Sequence, residues 1–225
     1  MSEALRIALL AAADALEASR EELSRLDAHA GDGDHGVTMT LAARAVRQRV
    51  TAAPRDIPDA DLIGSVGQAI ASVGGAIGPL YAAALMRVAA VVRKFESDPS
   101  SMSVVLCLRR CGEEANASVT EFGRAKPGDK TVVDALQPAA QALRQADREG
   151  WQPRDAIAHA ARSARAGAES TTDMVATVGR ASRLGERSRG APDPGATSFA
   201  IILEAIAAAF PIASAAVGEG GVPRA

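Results

Sequence analysis

Apolar and polar residues recur along this chain with a period of about 3.6 residues, the pattern of helices that bury one face. The pattern predicts helices at residues 3–26, 37–51, 59–73, 79–96, 100–121, 131–149, 153–168 and 196–216, with a further short helix at 169–180. No convincing run alternates in the way typical of a β-strand. We therefore predict an all-α fold, and one domain over residues 1–225 because no linker or internal repeat divides the chain.

The connections between these helices fall into two classes. The plain connections cover residues 52–58, 97–100 and 150–153. The first to fourth glycine-rich segments cover residues 27–36, 74–79, 123–130 and 181–195. The two classes alternate along the chain, except that the short helix at 169–180 interrupts the alternation before the fourth segment. In an antiparallel bundle, every second connection lies at the same end. We therefore expect the glycine-rich segments to converge, each followed by a helix whose N-terminal N–H groups suit a phosphate.

Composition supports this picture and narrows the function. Hydrophobic residues make up 48% of the chain and aromatic residues 3%, and much of the apolar content is alanine, the best helix former. The net charge of −2 and the few aromatic residues argue against a nucleic-acid partner. Glu204 and Pro211 interrupt the most apolar stretch, which favours a buried helix over a membrane span. The N-terminus lacks signal-peptide features, so we expect a cytoplasmic protein with Cys107 and Cys111 as ordinary thiols.

The first glycine-rich segment carries three carboxylates within eight residues, those of Asp27, Asp32 and Asp34. Two such charges ~4 Å apart repel by roughly 4 kcal/mol near a protein surface, so a fold that gathers three of them needs a cation. Hard oxygen ligands favour Mg²⁺ or Ca²⁺. The spacing is not that of an EF-hand, because Thr38 stands where the bidentate glutamate belongs. The alternative is a simple turn, in which Asp and Gly are common.

The second and third segments give weaker evidence for a ligand-binding site. Gly74 and Gly75 allow a close approach of the backbone, either to a ligand or to a neighbouring helix. In the third segment, Asp129 is placed to cap a helix that starts near Thr131, and a capped turn is the simpler interpretation.

The fourth segment, taken together with Gly179 and Arg180 directly before it, carries arginines at positions 180, 183, 187 and 189. Flanking glycines make a phosphate clamp as plausible an interpretation as a solvated charged face. Asp193 followed by Pro194 is typical of a helix N-cap with proline at the first helical position.

Four sequence blocks, one at each glycine-rich segment, match a known pattern in order and spacing. The blocks are Asp27–Gly36, Gly74–Tyr81, Pro127–Thr131 and Gly179–Ser198. Together they resemble the L subunit of dihydroxyacetone kinase, which corresponds to the C-terminal domain of the single-chain kinases. The first and fourth blocks are the most specific.

The resemblance implies an antiparallel eight-helix barrel with a nucleotide and magnesium site at one end. Asp27, Asp32 and Asp34 match the aspartates that coordinate two Mg²⁺ ions, which bridge the phosphates of ADP or ATP. The positions that match nucleotide contacts are His35, Gly36, Val37, Thr38, Ala76, Ile77, Gly123, Val132, Arg180, Asp193, Pro194 and Gly195.

The resemblance also implies a function shared with a partner. In the family, a separate K subunit holds dihydroxyacetone through a histidine, so His29, His35 and His159 are not assigned that role. The phosphoryl donor is either free ATP or a phosphotransferase-system protein that rephosphorylates bound ADP. The alternatives are a non-catalytic nucleotide-binding module that regulates a partner, and a kinase subunit for another ketose such as a tetrulose.

The chain departs from the family pattern in the second and fourth blocks. Ile77 stands where the family usually has serine, whose hydroxyl can hydrogen-bond a terminal phosphate. Losing that bond costs about 1–3 kcal/mol if nothing replaces it. Arg183 stands where an aromatic residue is common, and residues 189–192 also differ from the usual sequence.

Overall fold

The computed structural model describes residues 2–218, with the side chains of residues 3–210. Its α-helices are α1 Ser2–Ala18, α2 Arg20–Ala30, α3 His35–Ala52, α4 Asp59–Ala71, α5 Ile77–Ser97, α6 Val104–Gly123, α7 Val133–Arg148, α8 Pro153–Ser170 and α9 Pro194–Gly218. Two 3₁₀-helices, Thr171–Asp173 and Ala181–Ser188, lie between α8 and α9. The described residues contain no strand, which confirms the predicted all-α class.

Eight of the nine described α-helices close into a ring. Going round it, α1 packs against α3, and α4 to α9 follow in chain order until α9 packs back against α1. α2 lies beside this ring, where it contacts α3, α9 and the second 3₁₀-helix. The arrangement is the eight-helix barrel that the resemblance implied, with α2 in addition to it.

Alanine and glycine bring the helices of the ring close together. The core between α7, α8 and α9 is lined mainly by buried alanines, among them Ala139, Ala160 and Ala200. At Gly167 on α8, an added Cβ would lie 2.2 Å from the carbonyl oxygen of Asp134 on α7, so only glycine fits there. Small residues therefore set the spacing of the barrel wall.

Two predicted helices differ from the structure. The helix predicted at 3–26 is two helices, because the chain changes direction at Ser19, and α2 then continues to Ala30. Asp27 therefore lies in the last turn of a helix and not in a loop. The short helix predicted at 169–180 is a single 3₁₀ turn at its start, and the chain from Met174 to Val178 is not helical.

The apolar C-terminal helix packs within the barrel. Glu204, the charge that interrupts it, accepts two hydrogen bonds from Arg165 of α8, at 2.8 and 2.5 Å. Among the described residues, no helix is both long enough and apolar enough to cross a membrane. The side chain of Pro211, the other interruption, lies outside the described residues.

Candidate metal and nucleotide site

The N-termini of α3, α5, α7 and α9 converge on one cavity of about 610 Å³. Residues from all four glycine-rich segments line it, as the alternation of the connections predicted. Its volume is in the range of small-molecule sites, roughly 300–1,000 Å³. The first N–H groups of a helix have no partner within the helix, so this end of the barrel offers donors and a partial positive charge to an anion.

The three predicted acidic residues lie together at the mouth of this cavity. One carboxylate oxygen from each of Asp27, Asp32 and Asp34 lies within 4.8 Å of the other two. Asp27 is buried and accepts a hydrogen bond from the backbone N–H of His35 at 3.2 Å, whereas Asp32 and Asp34 are exposed. Gly31 is required beside them, since an added Cβ would lie 2.4 Å from Oδ1 of Asp27. We call these three residues the acidic cluster.

Arg180 of the fourth segment reaches across the mouth to the acidic cluster. Its guanidinium donates hydrogen bonds to Asp32 and to Asp34. One positive charge thus balances part of the three negative charges, and the donor set of carboxylate oxygens fits a hard divalent cation. Of the four arginines in this segment, Arg180 alone lines the cavity among the described residues.

His35 begins α3 directly behind the acidic cluster. Its side chain is buried, and its Nε2 atom lies 3.0 Å from the hydroxyl of Ser198 on α9. Burial lowers the pKa of His35 below its ordinary value, because the charged ring is less stable away from water. The contact joins the N-terminal turns of α3 and α9, two of the helices that converge on the cavity.

The second segment leaves open space beside the first turn of α5. Gly75 has a φ of +74°, and an added Cβ at Gly74 or Gly75 would meet no atom within 4 Å. Ile77, the first residue of α5, packs against an apolar cluster that includes Leu16 and Met39. Its apolar side chain packs between this cluster and the cavity, so its backbone N–H is the donor that it can offer to an anion.

In the third segment, the side chain that bonds the turn before α7 is that of Asp134 and not that of Asp129. Asp129 does not cap α7; it accepts hydrogen bonds from the backbone N–H of Lys126 at 2.8 Å and from the hydroxyl of Thr177 at 2.5 Å. Asp134, inside the first turn of α7, instead bonds the N–H groups of Gly128 and Thr131. The capping prediction was wrong because a side chain within the helix reaches back to the turn.

Lys130, which the sequence did not single out, lines the cavity and is 5% exposed. Its ammonium group donates hydrogen bonds to the carbonyl oxygens of Thr171 and Ala191, each at 2.7 Å. In the sequence, only its position in the Pro127–Thr131 block pointed to Lys130. That position does not indicate which distant carbonyls it binds.

Asp193 caps α9 as predicted. Its Oδ2 atom accepts a hydrogen bond from the N–H of Ala196 at 2.7 Å, and its own N–H donates to the hydroxyl of Thr171 at 2.7 Å. Burial raises the pKa of Asp193 to about 7, against the opposing effect of the cap hydrogen bond. This carboxyl therefore lies in the cavity wall as an acid that titrates near neutral pH.

Most of the predicted nucleotide positions line the cavity. Those that do are His35, Ala76, Ile77, Gly123, Val132, Arg180, Asp193, Pro194 and Gly195. Gly36, Val37 and Thr38 are not part of this lining. Gly36 is buried against α2, Val37 is 41% exposed, and Thr38 donates its backbone N–H to the carbonyl of Asp34 at 2.9 Å.

The wall of the cavity away from the acidic cluster is apolar. Leu80, Val119, Phe122 and Val178 line it. The cavity thus combines an apolar wall with a charged mouth.

Comparisons with known proteins agree with this chemistry. The family described as the DAK2 domain matches residues 29–208. The chain is 39% identical to the L-erythrulose kinase of Pectobacterium atrosepticum over 203 residues, which cover 89% of this chain and 34% of that protein. It therefore spans about a third of the length of this relative. It is 35% identical to the PEP-dependent dihydroxyacetone kinase, ADP-binding subunit DhaL, of Escherichia coli, over 87% of this chain and 91% of that subunit.

The fold is also found in a solved structure. The dihydroxyacetone kinase of C. freundii in complex with AMP-PNP and Mg²⁺ superposes with a TM-score of 0.67 and 27% identity, over 91% of this chain and 33% of that one. The native form of the same enzyme superposes with a TM-score of 0.68. The chain thus belongs to the DAK2 domain family and is a DhaL-type domain of the dihydroxyacetone kinases.

Proposed function

We propose that this chain is the ADP- or ATP-binding subunit of a ketose kinase, and that residues 1–225 form a single nucleotide-binding domain. The observation that carries the proposal is the acidic cluster, three carboxylates within 4.8 Å of one another, at the mouth of a cavity where helix N-termini converge. Membership of the DAK2 domain family supports it, as does the relative with AMP-PNP and Mg²⁺.

Asp27, Asp32 and Asp34 would hold the metal, two Mg²⁺ ions if the resemblance extends to their number. Carboxylate oxygens are the ligands that Mg²⁺ prefers, and a cation relieves their mutual repulsion. When bound, Mg²⁺ would neutralise the charge on the nucleotide phosphates. Arg180 would leave the two exposed carboxylates as the metal binds, and its guanidinium would then be free to bind a phosphate.

The remaining cavity residues would hold the nucleotide. The apolar wall would bind the base, and the N–H groups at the start of α3 and α5 would bind the phosphates. Ile77 would contribute only its backbone N–H. The proposed contacts remain His35, Gly36, Val37, Thr38, Ala76, Ile77, Gly123, Val132, Arg180, Asp193, Pro194 and Gly195.

The proposal includes a partner that orients the ketose. Phosphoryl transfer depends on positioning as well as on charge neutralisation, and the acidic cluster supplies the second of these. We propose that a K-type subunit supplies the first. The cavity is accessible to such a partner, because Gly74 and Gly75 before α5 are exposed, as is Phe122 of the cavity lining. The phosphoryl donor would be free ATP or a phosphotransferase-system protein.

A four-carbon ketose is the second candidate substrate. Two relatives that are named as L-erythrulose kinases are 39% and 41% identical to this chain, whereas the Escherichia coli dihydroxyacetone kinase subunit is 35% identical. In this proposal the ketose is held by the partner, so its identity is a property of that partner.

Reconstitution tests the proposal. The purified chain should phosphorylate neither dihydroxyacetone nor erythrulose by itself, and turnover should appear when a K-type subunit and a donor are added. Asp32→Asn should abolish that turnover. Asp98→Asn is the matched control, because Asp98 is an exposed carboxylate in the 97–100 connection, away from the cavity. Robust turnover by the chain alone would contradict the two-subunit proposal, and nucleotide binding without turnover in any mixture would favour the regulatory module.

A further inference from the structure

Lys130 is an unusual residue for a turn. It is 5% exposed and has a φ of +61°, in the left-handed region that favours glycine. Lysine is almost never buried without a partner. Its two hydrogen-bond partners are backbone carbonyls, those of Thr171 and Ala191, and not carboxylates. Burial lowers the pKa of Lys130, which is the cost of taking the ammonium group out of water.

The two carbonyls mark the two ends of the long segment between α8 and α9. Thr171 follows the last residue of α8, and Ala191 precedes the α9 cap by two residues. The segment between them has positive φ angles at Gly179, Gly185 and Gly190. Lys130 therefore ties both ends of an irregular segment to the turn that precedes α7.

The residue before Lys130 holds the same segment. Asp129 accepts hydrogen bonds from the backbone N–H of Thr177 at 3.2 Å, through its carbonyl, and from the Thr177 hydroxyl at 2.5 Å, through its carboxylate. Two consecutive residues of the third glycine-rich segment thus fix the start, the middle and the end of the segment that carries Arg180.

The contacts of Lys130 continue to the start of α9. Thr171, whose carbonyl binds the ammonium group, accepts the N–H of Asp193 through its hydroxyl at 2.7 Å. Asp193 in turn caps α9 through Ala196. Lys130, Ala191 and Asp193 all line the cavity, so one chain of hydrogen bonds joins two sides of its wall.

We propose that Lys130 is a positioning residue of the nucleotide site, which fixes the two ends of the wall formed by residues 171–195 and so sets nucleotide affinity, while it makes no direct hydrogen bond to the metal ligands. The inference rests on the proposed function. It separates two parts of the site: the acidic cluster lies on α2 and the residues after it, and none of its hydrogen bonds in the described residues involves Lys130.

The test compares Lys130→Met with a matched variant elsewhere. Methionine keeps the apolar stem and removes the ammonium group. Arg165→Met likewise removes a partly buried cation, one that bonds Glu204 at 2.8 and 2.5 Å outside the cavity lining. For each protein, calorimetry measures the affinity for Mn²⁺ alone and for ADP with Mg²⁺, and thermal unfolding reports stability.

Lys130→Met should weaken ADP binding by about tenfold or more. A hydrogen bond from a charged group is worth roughly that factor, and ADP binding would have to order the wall that the ammonium group no longer holds. Its affinity for Mn²⁺ alone should equal that of the wild type. Arg165→Met should lose stability and keep both affinities. A folded Lys130→Met protein that binds ADP like the wild type would overturn the inference, as would equal weakening of Mn²⁺ and ADP.

A second variant decides the matter if Lys130→Met does not fold. Thr171→Val keeps the shape of this buried side chain and removes the hydroxyl that binds the N–H of Asp193. It should also weaken ADP binding and leave Mn²⁺ binding unchanged, and wild-type ADP affinity in this variant would overturn the inference. Failure of the wild-type chain to bind ADP with Mg²⁺ would instead contradict the proposed function itself.

Discussion

The guanidinium of Arg180 bonds the two exposed carboxylates that we propose as metal ligands. All three of these side chains are at least half exposed, so water screens their attraction. The acidic cluster therefore gains little stability from Arg180, and its carboxylates repel one another. Removal of one of these carboxylates should therefore impair metal binding and leave the stability of the fold nearly unchanged.

Asp32→Asn should accordingly abolish metal-dependent ADP binding while the protein stays folded. The substitution removes one of three like charges from an exposed position, so the free energy of unfolding should stay close to that of the wild type. Circular dichroism and calorimetry on the same sample check this. Loss of ADP binding that coincides with unfolding would assign Asp32 a structural role.

Asp193 should make stability depend on pH near neutrality. Its pKa of about 7 in the folded state lies above the ordinary value of 3.8, so the folded protein binds a proton that the unfolded chain has released. Stability from this group is present below pH ~4 and is lost as pH rises through about 7. Asn caps a helix as well as Asp and cannot ionise.

The measurement is urea unfolding of the wild type and of Asp193→Asn between pH 5 and 8. The wild type should lose about 2–3 kcal/mol relative to the variant over this range, a loss set by the raised pKa of the carboxyl. Parallel pH profiles for the two proteins would show that Asp193 is ionised throughout.

Sequence reasoning located residues whose partners are near in the chain. Asp27, Asp32 and Asp34 fall within eight residues, so their proximity needed only a turn. Lys130 could not be assigned in this way, because its two partners lie 41 and 61 residues away along the chain. Which carbonyls meet a lysine depends on how the helices pack, and a local pattern does not contain that information.

At the scale of the elements, the end of α1 shows where periodicity is insufficient. The backbone hydrogen bonds of the helix continue through Ser19, from its N–H to Ala15 and from the N–H of Leu23 to its carbonyl. The residues on both sides favour helix, so the sequence predicts one long helix. Packing decides otherwise: α1 enters the ring, whereas α2 lies beside it against α3 and α9, and Asp27 near the end of α2 lines the cavity.

The contact between α2 and α3 gives a prediction at this scale. An added Cβ at Gly36 would lie 2.0 Å from the carbonyl oxygen of Arg20 and 2.6 Å from the hydroxyl of Ser24. Gly36→Ala should therefore push α2 away and destabilise the protein by about 1–3 kcal/mol. Metal affinity should fall as well, since Asp27 is carried on α2.

Gly64→Ala provides the control for this substitution. Gly64 is also in a helix, but the atoms nearest to an added Cβ are 4.0 Å away, so alanine fits and favours the helix. Urea unfolding should show Gly64→Ala at least as stable as the wild type. Equal effects of the two substitutions would mean that the close α2–α3 contact is not what requires glycine.

At the scale of the whole molecule, alternating connections gave the location of the site. Successive helices of the ring run in opposite directions, so α3, α5, α7 and α9 all begin at one end, and all four line the cavity there. The eight-membered ring itself was implied by the resemblance and not by the periodicity, which locates most of the helices but does not give their neighbours. Small residues such as those between α7, α8 and α9 permit close contact between helices, but they do not specify which helix packs against which.

The central claim is that nucleotide is held through metal on the acidic cluster. Calorimetric titration of the purified chain with ADP, in the presence of Mg²⁺ and again with the metal chelated, tests it most directly. In this account Asp27, Asp32 and Asp34 would hold Mg²⁺, which would neutralise the phosphates, so ADP affinity should collapse on chelation, by about a hundredfold or more. Equal ADP affinity with and without Mg²⁺ would contradict the claim.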